Sequence, residues 1–139
     1  MKNYLFVSLA LIATFLFSFT AIGQKKADPW PEKAAFHHIM STTFHPAEEG
    51  NFAPIKKGSG EMVAKAKAWM NSTPPPEFNK PEIKAKLKQL YEESMALDKM
   101  VKANATDDQL KPVLAKLHDR FHEIIGMCGK DEKEAEQHH

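Results

Sequence analysis

The apolar residues in the last third of the chain recur at helical spacing. At 100° per residue, with Leu110 as reference, they fall within about 60° of one direction. They are Leu110, Leu114, Leu117, Phe121, Ile124 and Ile125. Thr106 can cap the first amides, and Gly126 suits a left-handed stop. The pattern therefore predicts a helix over residues 107–126 with one buried face.

Three further amphipathic segments precede it. The pattern predicts helices at about residues 29–44, 60–72 and 80–104, and the third alternates apolar steps of four and three, as antiparallel bundle helices do. Residues 46–60 are rich in Gly, Pro and charge, which predicts a long connection. With no strand pattern, we expect an all-α fold, an up-down-up-down antiparallel four-helix bundle over residues 24–129.

The two ends of the chain differ from this middle. Residues 1–23 carry Lys2, an apolar run and a small-residue cleavage pattern, which is typical of a signal peptide. The mature protein is then periplasmic or secreted, with no membrane association after cleavage. Residues 130–139 have no apolar stripe, and we expect a disordered tail. Its His138 and His139 could bind metal adventitiously.

Composition narrows the function. Apart from Lys2, the chain has 18 basic and 18 acidic residues, so nucleic acid and anionic membranes are not expected partners. A single cysteine, Cys128, cannot form an internal disulfide. The sequence contains no nucleophile–base pair, phosphate-binding loop or pair of carboxylates at core positions, so we do not expect an enzyme.

Histidines at the edges of the buried faces are the candidate chemistry. His118 and His122 lie one turn apart, at about 80° and 120° from the reference direction, so both can reach one ion. On helix one His37 lies at the edge of the core arc and Met40 inside it, whereas His38 and His45 lie on the polar side. We therefore expect a site for copper, zinc or nickel, in which Met40 sulfur would favour copper.

Other arrangements remain open. His38 and His45 are further candidate ligands, and Glu48 and Glu49 could add oxygens at the start of the predicted loop. Alternatively, the two glutamates are solvated and His45 merely ends the helix. His118 and His122 could likewise be boundary histidines without a ligand.

Residues 114–121, LAKLHDRF, resemble the haem-attachment segment of the cytochrome c-prime family. In that family a CxxCH motif is followed by an acidic and an aromatic residue. Here the histidine, acid and aromatic match, and leucines replace both cysteines, which excludes covalent haem. The resemblance implies a periplasmic four-helix bundle, a homodimer, and His118 as the haem ligand.

Three functions follow from this interpretation. The first is transition-metal binding through His37, His118 and His122, for buffering, delivery or sensing. The second is non-covalent haem held between Met40 and His118, an axial pair similar to that of soluble b-type four-helix cytochromes. The third is an interaction module without a cofactor.

Overall fold

The described part of the chain is all-α, as predicted. A computed structural model describes residues 28–136, with side chains described for residues 28–129. The predicted signal peptide at residues 1–23 lies outside the described residues. The helices are α1 (Pro31–Glu48), α2 (Ala53–Asn71), α3 (Pro81–Lys102) and α4 (Asp107–Glu136), and a short 3₁₀ turn spans Pro76–Phe78. Within residues 28–136 there is no strand, and none of the helices combines the length and hydrophobicity needed to cross a membrane.

Each helix packs against the next along the chain, and α1 also contacts α4. The faces predicted from the apolar pattern are the buried ones. On α4 the residues Leu110, Leu114, Leu117, Phe121 and Ile124 are all buried, and Ile125 is half-buried. Burial of these side chains stabilises the fold, because each removes apolar surface from water.

Aromatic rings close the core at the end where α1 begins. Trp30 is 1 % exposed and its indole Nε1 donates a 2.7 Å hydrogen bond to Ser72 Oγ. Its ring lies edge-on to Trp69, with centroids 5.6 Å apart, and parallel to Phe78 at 6.1 Å. These contacts fix the start of α1 against the end of α2 and the 3₁₀ turn.

The connection between α1 and α2 is much shorter than the predicted loop over residues 46–60. The first helix continues through Pro46 to Glu48, and α2 begins at Ala53, so only residues 49–52 lie between them. Gly58 stands inside α2, where an added Cβ would lie 3.4 Å from atoms of Ile39 and Thr43. The small residues that suggested a loop therefore allow α1 and α2 to pack closely.

The end of α4 also differs from the prediction. The helix does not stop at Gly126 but continues to Glu136, through most of the segment predicted as a disordered tail. Gly126 does not take the positive φ of a left-handed cap; among the described glycines only Gly50, in the α1–α2 turn, has a positive φ, of 86°. Residues 137–139 lie outside the described residues.

These two glycines give a paired prediction. Because glycine inside a helix costs about 0.5–1 kcal/mol relative to alanine, and nothing lies within 4 Å of an added Cβ at Gly126, Gly126→Ala should raise the free energy of unfolding by about that amount. Gly50→Ala should lower it, because alanine is strained at positive φ. Urea denaturation measures both, and destabilisation by Gly126→Ala would show that α4 ends there.

Candidate metal centre

Two imidazoles of α4 lie in direct contact. The Nε2 atoms of His118 and His122 are 3.1 Å apart, and the ring centroids are separated by 4.4 Å. The four-residue spacing places the side chains on consecutive turns of one helix face, as predicted. One Nε2–H donates a hydrogen bond to the other Nε2, and which one donates depends on the tautomers.

Phe44 of α1 fixes the position of His118. The two rings are stacked, with centroids 3.8 Å apart and planes 7° from parallel. Contact with α1 leaves His118 half-buried, whereas His122 remains exposed. The pKa of His118 is lowered, first because burial disfavours the imidazolium and second because the positive charge of His122 would repel it.

His45 and Glu48 extend this cluster from α1. The ring of His45 lies edge-on to His118, with centroids 6.5 Å apart. Its Nδ1 is 3.0 Å from Glu48 Oε2. If Nδ1 carries the hydrogen and donates a hydrogen bond to the carboxylate, the Nε2 lone pair remains free to bind an ion. Both side chains are more than half exposed, so the cluster opens to solvent.

The structure does not bring His37 to the α4 pair. Its ring stacks on Phe121 instead, with centroids 5.1 Å apart, and it forms no ring contact with His118 or His122. His37 and His45 are eight residues apart on α1, about 12 Å along the helix axis, and it is His45 that lies beside His118. His38 is exposed, with no ring contact to the cluster.

Two acidic residues of α4, Asp119 and Glu123, follow the two histidines directly and play different parts. Asp119 is exposed, and its charge partly opposes the lowering of the His118 pKa. Glu123 forms ion pairs with Lys86 of α3 and with Arg120, which is itself paired with Glu93 of α3. Of the acidic residues around the cluster, Glu48 alone forms a hydrogen bond with one of its imidazoles within the described part of the chain.

Met40, the other residue of the predicted haem pair, lies inside the core. Its side chain is 1 % exposed and belongs to the central core. Three cavities among the described residues have other linings, which include neither Met40 nor His118. A haem between them would have to displace core side chains and the stacked ring of Phe44. The residues present therefore do not fit a non-covalent haem at this position.

The geometry of the α4 pair fits a transition-metal ion. With metal–nitrogen distances of about 2.0 to 2.1 Å, two nitrogens at about 90 to 110° around an ion stand about 2.8 to 3.4 Å apart. The observed Nε2 separation of 3.1 Å lies inside that range. In the described side chains no group of three His, Cys, Asp or Glu residues is already assembled for a metal. The chain thus supplies two nitrogens at a suitable separation, and a third requires a side-chain rotation.

The sequence pattern does not place His45 and Glu48 beside His118, whereas the structure does. The predicted helix one ends at residue 44, so the sequence does not assign His45 and Glu48 to a shared helix face. Their i, i+3 separation would have placed both on one face had the helix been extended. Stacking of Phe44 on an imidazole of α4 has no signature in a single sequence.

Comparisons of the chain with protein-family models, with curated proteins and with solved structures found no significant match. Functional inference therefore depends on the residues and geometry described above.

The lowered pKa of His118 makes a prediction about acid stability. Because the folded chain disfavours protonated His118, the unfolded chain binds more protons, and stability falls as the pH drops below about 6.5, the ordinary histidine pKa. The loss should be complete once the pH is below the lowered pKa. His118→Asn should reduce this fall, measured as the free energy of unfolding against pH.

NMR titration gives the matching site-specific test. In the unmodified chain, His118 should titrate below the ordinary histidine pKa, and His122→Ala should raise that pKa by removing the repulsion. His38→Ala, at an exposed position about two turns from His45 along α1, is the control and should leave it unchanged. A His118 pKa above the ordinary value would contradict the burial argument.

Proposed function

We propose that this domain binds a transition metal ion, copper, zinc or nickel, through imidazoles where α1 contacts α4. The single observation that carries the proposal is the 3.1 Å separation of the His118 and His122 Nε2 atoms. Helical spacing sets that separation and the stack on Phe44 fixes one of the two rings. Two ligands held in this way lose little side-chain entropy on binding.

The third ligand in this proposal is His45. A change in its side-chain torsions brings Nε2 toward the α4 pair, and staggered alternatives are accessible to an exposed side chain. Glu48 accepts a hydrogen bond from His45 Nδ1–H and so selects the tautomer that leaves Nε2 free. Water or an external ligand completes the coordination, which is a common arrangement where a site is open to solvent. Three neutral nitrogens suit zinc, copper and nickel more than calcium or magnesium.

The wider setting is part of the same proposal. The order of helix contacts and the short connections at residues 49–52 and 103–106 support an up-down-up-down four-helix bundle. The leader-like pattern of residues 1–23 supports export to the periplasm or the exterior. In such a compartment a reversible, solvent-exposed histidine site suits buffering, delivery or sensing of metal ions.

Metal titration of purified protein tests the proposal. His138 and His139 are first replaced by asparagine to remove adventitious binding. Isothermal titration with Zn²⁺ and elemental analysis after Cu²⁺ loading should then both give about one ion per chain. Because the imidazoles must be deprotonated to bind, affinity should fall as the pH drops below about 6.

Single-site variants in that background identify the ligands. His118→Ala and His122→Ala should each weaken binding at least tenfold, and His45→Ala about tenfold. His37→Ala should change affinity little, since its ring lies on Phe121, and His38→Ala is a matched exposed control. If the protein binds no metal and its melting temperature is unchanged, the metal proposal fails and the interaction-module alternative remains. Loss of binding in His37→Ala would instead restore the site predicted from the sequence.

Glu48 provides a further prediction. Glu48→Gln preserves the size of the side chain but replaces the carboxylate, so His45 is no longer held in one tautomer. Partners of this kind typically contribute 10- to 100-fold in metal affinity, and we expect a loss of about tenfold for Zn²⁺. The neighbouring Glu49→Gln should have no effect. In a His45→Ala background, Glu48→Gln should add nothing further; an independent loss there would mean that Glu48 does not act through His45.

A further inference from the structure

A second candidate binding site lies on the opposite side of the core from the histidines. A cavity of about 380 Å³ opens between the end of α2, the segment that follows it, and the first half of α3. Its volume falls within the range of about 300–1,000 Å³ that is typical of small-molecule sites. The metal proposal does not use this cavity.

The wall of the cavity is apolar and partly aromatic. The rings of Trp30, Phe78 and Tyr91 contribute to it, together with Met70 and Leu87. Trp30 and Phe78 are held by their mutual stacking, and the Trp30 Nε1–Ser72 Oγ hydrogen bond anchors the indole. These two buried rings form a rigid base behind the wall, and the half-buried Met70 and Tyr91 offer the accessible apolar surface.

The mouth of the cavity has an exposed apolar side chain and two lysines beside it. Met95 lies there with 39 % of its surface exposed. Lys84 and Lys88 line the same cavity. Lys88 forms an ion pair with Glu92 at 3.1 Å, whereas Lys84 forms none with a described residue. Lys84 thus leaves an uncompensated positive charge beside an apolar cavity.

We propose that this cavity binds a small amphipathic monocarboxylate of the medium-chain fatty acid class. The apolar chain lies against Met70, Tyr91 and Met95, whose side chains are accessible, and the carboxylate remains at the mouth beside Lys84. The combination of apolar wall and rim cation favours an anionic head over a neutral or cationic one. Flexible Met70 and Met95 adapt the wall to chains of slightly different length.

Titration of the purified protein with octanoate, 1-octanol and octylamine tests the ligand class. Binding is measured by calorimetry and by tryptophan fluorescence, to which Trp30, beside the cavity, and Trp69 both contribute. Octanoate should bind more tightly than octanol, and octylamine more weakly than both. Along the series hexanoate, octanoate and decanoate, each buried CH₂ should tighten binding by up to about fourfold.

Two surface variants locate the site. Lys84→Gln should weaken octanoate binding about threefold, as expected for an exposed charge pair, and leave octanol unchanged. Met95→Glu places a negative charge at the mouth and should weaken octanoate about tenfold. Lys57→Gln, an exposed lysine near the start of α2, is the control. Circular dichroism checks the fold of each variant, and both substituted side chains are exposed, so folding should be preserved.

Three outcomes would overturn this proposal. The first is the absence of octanoate binding at millimolar concentration by the folded protein. The second is equal affinity for octanoate and octanol with no effect of Lys84→Gln, which would remove the role of the charge. The third is octanoate binding that Met95→Glu leaves unchanged, which would place the ligand elsewhere. None of these results depends on the histidine site.

Discussion

The stack of Phe44 on His118 is the contact on which the candidate metal centre depends. It joins α1 to α4, which contact one another less extensively than the other neighbouring helices do. Deeper in the same interface, Phe36 packs on Phe121 with ring centroids 5.8 Å apart. Aromatic contacts of this kind set the spacing of the two helices. They hold one imidazole at the boundary between core and solvent, where it is partly desolvated but still accessible.

Much of the fold could be predicted from the sequence, because burial imposes a helical period on the apolar residues. The faces of α3 and α4 were identified in this way, and Leu87, Leu90 and Leu117 are all buried. The predicted start of α2, at about residue 60, is wrong for a physical reason, since the helix begins at Ala53. Gly58 and Ser59 indicate a loop when only local preferences are considered, yet Gly58 allows close approach of α1, and Ser59 donates a hydrogen bond to Asp98. Tertiary packing overrides local propensity there.

The candidate site was predictable only within one helix. The spacing of His118 and His122 is enough to place their rings together, since a helix fixes neighbours four residues apart. Which α1 histidine lies beside them depends on the relative shift of two helices and on the true end of α1. A shift of two turns exchanges His37 for His45. Neither quantity is encoded in local sequence; in the folded chain the Phe44 stack marks the observed register of the two helices.

Long-range ¹H–¹⁵N NMR during zinc titration is the sharpest test of the histidine site between α1 and α4, because it reports the protonation and metal binding of each imidazole nitrogen. At one equivalent of Zn²⁺, the Nε2 signals of His118, His122 and His45 should move together to metal-bound positions. The signals of His37 and His38 should stay where they are. If the Nε2 signals of His118 and His122 remain unchanged while the chain takes up zinc elsewhere, the α1–α4 site does not exist.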